Sequence, residues 1–313
     1  MKVKMGKRAI ALTVLIVGVV AALLITFFPA SAEPRIVEVT LEVYEKAIEV
    51  APGKFITMWT YNGSVPGPTI RAKVGDTVRI RLVNKHNLSH SVHMHAFKYE
   101  FKDDGADPVA RLAGLSSVVP PGKEYVYELK PTTAGLFYYH CHSDDKYPIA
   151  VHMQQGLYGA IIIDPVASST GKAPDKEYVV FFGEAYSEPI ISMLHSCAYC
   201  FTGTAEKFFT INARTFPLTE TFKAKKGELV RFYVINIGND IHTWHLHGMK
   251  QYAIKEVGGK RVPELIEAQV LSLAPGVAAI IETTADEPGT WLLHCHVVPH
   301  ADVGMDALFE VAP

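Results

Sequence analysis

The chain carries one chemical signature twice, 152 to 154 residues apart, and this repetition constrains the fold more than any other feature. Gly75-Asp76-Thr77-Val78-Arg79 returns as Gly227-Glu228-Leu229-Val230-Arg231, 152 positions later. Val83-Asn84 and Ile235-Asn236 keep that offset, as do His90, His93 and His95 against His242, His245 and His247. Beyond them the offset becomes 154: Pro121-Gly122 matches Pro275-Gly276, Gly135 matches Gly289, and His140-Cys141-His142 matches His294-Cys295-His296. One module has been used twice, and 313 residues give room for two domains.

The module reads as all-β. Val78, Ile80 and Leu82 alternate with Arg79 and Arg81, the period of a half-buried strand, and Val230, Phe232 and Val234 repeat the pattern. Lys123 to Leu129 is another alternating run after a Pro-Gly turn. No long helical pattern follows residue 32, so two Greek-key β-sandwiches are expected. The small, turn-rich stretch 166–176 is the natural linker, leaving residues 33–165 and 177–313 as the two domains.

Of the 14 histidines, only His86 and His195 fall outside the repeated motifs. Side chains two apart on a strand share a face, and those an odd number apart do not. His93 and His95 therefore point together, as do His140 and His142, while Cys141 points away. The second module repeats this with His245, His247, His294 and His296 against Cys295. The opposite face gathers His242 and Cys295, and downstream His300 and Met305 complete two histidines, a thiolate and an axial thioether, the ligands of a blue-copper electron-transfer site. In the first module the same set is His90, Cys141 and His152, with Leu157 where the Met would stand. The eight same-face histidines suit a cluster of coppers. Zinc fits less well, because its sites are usually closed and four-coordinate and have no use for a Cys sandwiched between cluster histidines.

At these residues the chain resembles the multicopper oxidases. His242 to Gly248 (HTWHLHG) and His294 to Met305 (HCHVVPHADVGM) are similar to the C-terminal copper motifs of laccases, and HSVHMH and HCH in the first half to their N-terminal partners. The likeness runs from about Lys54 to the C-terminus, and the chain lacks room for a third domain. It resembles the two-domain, cupredoxin-built oxidases with a type 1 copper in each domain more than the three-domain laccases. The resemblance implies type 1 sites at His90, Cys141 and His152, and at His242, Cys295, His300 and Met305. It implies a type 2 copper on His93 and His245, and a type 3 pair on His95, His140, His142, His247, His294 and His296. It also implies a homotrimer with each trinuclear cluster between two subunits, a small-molecule or metal-ion reductant, and dioxygen reduced to water. Asp104, in an Asp-Gly pair after His95 as in laccases, is the candidate proton donor; an ordinary Asp-Gly turn is the plainer reading.

Copper nitrite reductases share the two-domain trimer and are the alternative. That family has Asp in place of His93, a non-ligand in place of His142, and no His-Cys-His in its second domain. A non-enzymatic copper or electron carrier would not need eight clustered histidines. A cuprous oxidase stays open as a subclass, although the eight Met residues are scattered.

The formal charge of −2 argues against nucleic acid as a partner. Residues 1–32 combine a basic start, an apolar run from Ala9 to Phe28 and a small-residue Ala30-Ser31-Ala32 end, the pattern of a secretory signal. The run is also near bilayer-spanning length, so a retained membrane anchor is the rival, and either reading expects export. Cys197 and Cys200 are expected to form a short disulfide, with a small metal site using His195 as the sharper alternative. His86 receives no role.

Overall fold

The computed structural model describes residues 33–95, 98–115, 117–165, 173–188, 205–249, 252–267 and 269–313. The N-terminal segment 1–32, most of the linker, and His195, Cys197 and Cys200 lie outside the described residues. Residues 34–313 form one compact unit.

The first half contributes β1 (Ile36–Ala51), β2 (Lys54–Tyr61), β3 (Ile70–Lys73), β4 (Thr77–Asn84), β5 (His93–Met94), β6 (Glu124–Leu129), β7 (Gly135–His140) and β8 (Tyr158–Asp164), with short helices α1 (Asp107–Ala113) and α2 (Ile149–Gln154). The second contributes β9 (Lys176–Tyr186), β10 (Lys207–Ile211), β11 (Phe222–Lys225), β12 (Leu229–Asn236), β13 (His242–Leu246), β14 (Ala253–Val257), β15 (Lys260–Glu267), β16 (Leu271–Leu273), β17 (Ala278–Thr284), β18 (Gly289–Cys295) and β19 (Asp306–Ala312), with α3 (Val298–Ala301). They form four sheets, β2-β1-β4-β6 and β3-β8-β7-β5 in the first domain, β10-β9-β12-β17-β14-β15 and β11-β19-β18-β13-β16 in the second. These are two sandwiches of the cupredoxin kind, as the alternating pattern predicts.

Alternation decides what fills each sandwich. On β4, Val78, Ile80 and Leu82 are wholly buried among Tyr127, Tyr139 and Ile161, and on β12 Val230, Phe232 and Val234 pack with Trp244 and Phe309. A third apolar cluster joins the halves, Ile56, Met58 and Ile162 of the first meeting Phe181, Ile235 and Ala278 of the second. Arg71 clamps the same boundary, donating to Asp164 at 2.8 Å and to Glu177 at 2.6 Å.

The repeat extends to register. β1 runs parallel to β4 with Val43 opposite Asn84, and β9 runs parallel to β12 with Phe182 opposite Asn236. Since Asn84 and Asn236 are repeat partners, Glu45 and Glu184, each two residues further along, occupy the same place in their domains. Their antiparallel neighbours Trp59 and Phe209 correspond likewise.

Candidate metal centres

In each domain one inner strand, β7 or β18, runs into His-Cys-His, and an antiparallel neighbour, β5 or β13, leads into the His-x-His. His93 faces His140 across β5 and β7, and His245 faces His294 across β13 and β18. Cross-strand pairing places imidazoles together on one side and sends the thiol into the core, where Cys141 and Cys295 are wholly buried.

In the first domain Cys141 Sγ lies 3.6 Å from His90 Nδ1 and 3.3 Å from His152 Nδ1, and the two Nδ1 atoms are 3.3 Å apart. In the second, Cys295 Sγ is 3.7 Å from both His242 Nδ1 and His300 Nδ1, which are 3.2 Å apart. α2 presents His152 and α3 presents His300. Leu157 and Met305 are both fully buried, and their carbonyls accept from Cys141 N–H at 3.0 Å and Cys295 N–H at 3.1 Å. The two residues therefore hold the same station beside their thiols. Each sulfur also accepts one backbone N–H at 3.4 Å, from Ser91 and from Thr243.

Asn84 and Asn236 fasten the loops that bring His90 and His242 in. Asn84 Nδ2 donates to the carbonyls of Leu88 and Val119, and Asn236 Nδ2 to those of Asp240 and Leu273.

The other face holds two four-histidine sets. His93, His95, His140 and His142 are in mutual ring contact, as are His245, His247, His294 and His296. Backbone carbonyls fix the tautomers. His140 Nδ1–H donates to the Cys141 carbonyl and His294 Nδ1–H to that of Cys295, both at 2.9 Å, which turns the Nε2 lone pairs toward His95 Nε2 and His247 Nε2, each 3.1 Å away. His93 and His245 are held similarly by the carbonyls of Asp104 at 2.8 Å and Gln269 at 2.7 Å. Among the described residues no hydrogen bond or ring contact joins one set to the other. A recess of 360 Å³ opens at His93 and His95, walled by Tyr99 and Tyr138 and bounded by Gly258, Gly259 and Gly276 of the second domain.

The Nε2 atoms of His95 and His140, and of His247 and His294, converge at 3.1 Å, and the buried His142 Nδ1 has no protein partner. The donor set fits copper: thiolate with two imidazoles at one kind of site, imidazoles alone at the other. Burial pushes His140 down to about 3 and His152 down to about 4, so both are neutral and ready to ligate at neutral pH. The two thiols differ. Burial pushes Cys141 up to about 11, whereas at Cys295 burial, the largest single influence, is overcome by hydrogen bonds from His242 and from the backbone of Thr243 and Val297 taken together, and the net shift is downward.

Asp104 is placed by Gly105, whose φ of +69° and 2.4 Å clearance from the Val92 carbonyl leave no space for a Cβ. Asp104 closes the short 3-10 helix Phe101–Asp103, and its Oδ1 lies 3.7 Å from His93 Nδ1 and accepts from Tyr99 Oη at 3.0 Å.

Three contacts at or next to the two His/Cys sets are absent from the sequence motifs. Glu184 accepts from His242 Nε2 at 2.8 Å, His86 Nδ1 lies 2.7 Å from His90 Nε2, and Glu45 Oε1 lies 3.1 Å from His86 Nε2. Trp59 packs over His86, His90 and His152 at 5.0 to 5.6 Å between ring centroids, and Phe209 stacks on His300 at 3.9 Å.

Comparison with known proteins agrees with this geometry. Multicopper oxidase family profiles match residues 42–168 and 193–313. A probable nitrite reductase-hydroxylamine oxidoreductase fusion protein of Kuenenia stuttgartiensis is 29% identical over 88% of this chain, which spans 31% of that protein's length. A crystal structure of a multicopper oxidase superposes with a TM-score of 0.76 at 28% identity, covering 88% of this chain and 89% of that one. The copper nitrite reductase of Nitrosomonas europaea superposes with a TM-score of 0.74 at 27% identity, covering 88% and 94%. Two matched profiles over two cupredoxin sandwiches, each bearing its own His/Cys centre, establish that the chain belongs to the multicopper oxidase family.

Proposed function

We propose that the protein is an exported oxidase that takes single electrons from a reductant at type 1 copper and delivers them to dioxygen, forming water, at a trinuclear copper cluster. The carrying observation is that the second domain has its own complete four-histidine set, backed by a buried Cys295 in His-Cys-His. His90, Cys141 and His152 would hold one type 1 copper, and His242, Cys295 and His300, with Met305 beside them, the other. His93 and His245 would hold type 2 copper, and His95, His140, His142, His247, His294 and His296 the type 3 pair. Bound copper would supply one-electron redox chemistry at the first two sites and multi-electron reduction of dioxygen at the cluster.

The chain's own contribution is placement. Cys141 and Cys295 are each covalently joined to two cluster histidines, so an electron leaving a thiolate reaches the cluster face through one residue's backbone. The sandwich core keeps the reductant away from dioxygen. Asp104, hydrogen-bonded to Tyr99 beside His93, would hand protons to the cluster. Among the described residues the two histidine sets make no contact, which supports a cluster assembled between subunits, with a homotrimer favoured by the family resemblance. Residues 1–32 carry the export reading, as a cleaved signal or a membrane anchor.

Nitrite reduction is the second reading, supported by the likeness to copper nitrite reductases. The purified, copper-loaded protein distinguishes them. An oxidase shows two thiolate–copper absorptions, oxygen uptake with a phenol or metal-ion donor, and little nitrite consumption. Cys141→Ser and Cys295→Ser should each remove part of the absorption. Nitrite turnover without oxygen uptake would overturn the proposal.

A further inference from the structure

An aromatic bridge joins the two His/Cys centres of one chain. On the first-domain side Leu157, whose carbonyl accepts from Cys141 N–H at 3.0 Å, is followed directly by Tyr158, which stands opposite His140 in the pairing of β7 with β8. The Tyr158 ring lies 5.0 Å from that of Phe181 on β9, and both are buried in the apolar cluster that joins the domains. Phe182, the next residue, stacks on His242 at 6.0 Å between ring centroids. Helix α2, which presents His152, also packs on β9, and β9 carries Glu184 to His242 Nε2.

These aromatics are not part of the repeated module. The station of Tyr158 in the second domain, opposite His294, is Asp306, and the station of Phe181 in the first domain is Glu42. Rings stand in place of acids where the two domains meet. Burial alone does not require rings there, since Ile56, Ile162 and Ile235 fill the same cluster with aliphatic side chains. An electron tunnels further through bonds and close-packed atoms than across gaps. From Leu157 to His242 this path has two non-covalent steps, both between rings: Tyr158 to Phe181, and Phe182 to His242.

We infer that Tyr158 and Phe181 relay electrons between the two copper centres of one chain, so that an electron taken up at one is shared with the other; this rests on the copper-oxidase reading. One electron leaves the reduced copper held by His242, Cys295 and His300 and arrives at the oxidised copper held by His90, Cys141 and His152. No bond breaks and no proton moves. Glu184 on His242 favours the oxidised ion at the donating centre, and donor-free Leu157 favours the reduced ion at the accepting one, so the electron runs from the second domain to the first. In an oligomer whose clusters form between subunits, the two centres of one chain feed different clusters. The relay lets an electron that enters the second domain serve either of them.

The test uses the copper-loaded full chain with His95→Ala and His247→Ala, which disable the cluster so that electrons stay on the two thiolate-bound coppers. A pulse of radiolytically generated reductant delivers less than one electron per chain without oxygen. Redistribution is followed optically, with the Cys141→Ser and Cys295→Ser spectra as references for each centre. The expected result is a first-order shift of the electron from the Cys295 centre to the Cys141 centre, at a rate independent of protein concentration. Tyr158→Leu and Phe181→Leu should each slow it several-fold, while Tyr158→Phe, which keeps the ring, keeps the rate. The absorption and reduction potential of each centre are measured in every variant, which separates a changed driving force from a broken path. If Tyr158→Leu does not fold, Phe181→Leu decides. No redistribution, a rate proportional to protein concentration, a leucine variant as fast as its parent, or a Tyr158→Phe variant as slow as Tyr158→Leu would overturn the relay. A parent protein with no thiolate–copper absorption would instead sink the copper reading beneath it.

Discussion

Glu184 and His242 form a wholly buried pair, with Oε1 and Nε2 2.8 Å apart and the opposite ring nitrogen aimed at Cys295. Burial opposes charge on His242, but its hydrogen bonds to Cys295 and Glu184 prevail and raise its proton affinity. A carboxylate on a ligand's far nitrogen makes that ligand more basic and favours oxidised copper. The Cys295 site should therefore have the lower potential of the two. Glu184→Gln should raise it by about 60 mV, the one-electron equivalent of about 1.4 kcal/mol for one charge-assisted hydrogen bond. Some local stability is lost as well, since Glu184 Oε2 also accepts from Asn239 N–H at 2.8 Å. A redox titration in a Cys141→Ser background checks this, and a downward shift would contradict it.

Leu157 leads to the same ordering independently. It holds the station of Met305 beside Cys141 and offers no donor. Removing an axial donor favours the reduced ion, so the Cys141 site should be the higher one. The backbone donors to the two sulfurs are matched at 3.4 Å and do not offset the difference. Leu157→Met should lower the potential of the Cys141 site and leave the Cys295 site unchanged. A titration showing an upward shift would remove Leu157 from the axial position.

The strand period of two made much of this legible in the sequence. His93 with His95, and His140 with His142, share a face for the same reason that Cys141 opposes them, and the repeat supplies the second copy. Glu45 and Glu184 were not legible. They sit in β1 and β9, 45 and 58 residues before the histidines they serve, and only the parallel pairing with β4 and β12 brings them near. His86 carried no signal either, as a single histidine outside the repeated motifs. The β14–β15 hairpin and helix α1 replace each other between the domains, so the repeat gave no template for either.

The metal-free protein should be acid-sensitive. His140 and His152 are buried and shifted by burial down to about 3 and about 4. Below the unfolded value of about 6.5 the unfolded chain binds protons that the folded one refuses. Their contribution to stability is therefore complete above that pH and is lost as pH falls toward the folded values. Each histidine should cost up to about 1.4 kcal/mol per pH unit in that window. Urea midpoints of the copper-free protein measured between pH 7 and pH 5 should fall, and each of His140→Gln and His152→Gln should flatten the fall. A midpoint that does not change with pH would contradict the burial argument.

The last prediction concerns assembly. Each chain presents two half-sets of four histidines with no contact between them among the described residues, and His93 and His95 open onto a recess rather than onto the second set. A chain alone can load its two type 1 sites, since each is complete within one domain. It cannot complete a cluster that draws on both half-sets. Dilution that dissociates the oligomer should therefore leave the thiolate–copper absorption in place while oxygen uptake falls with subunit concentration. Mixing a His93→Ala, His95→Ala chain with a His245→Ala, His247→Ala chain should restore part of the oxygen uptake that each lacks alone, because some interfaces in the mixed oligomer pair an intact first domain with an intact second domain. Light scattering alongside the activity measurement settles the matter: a stable monomer with full oxygen uptake would show that the two half-sets close within one chain.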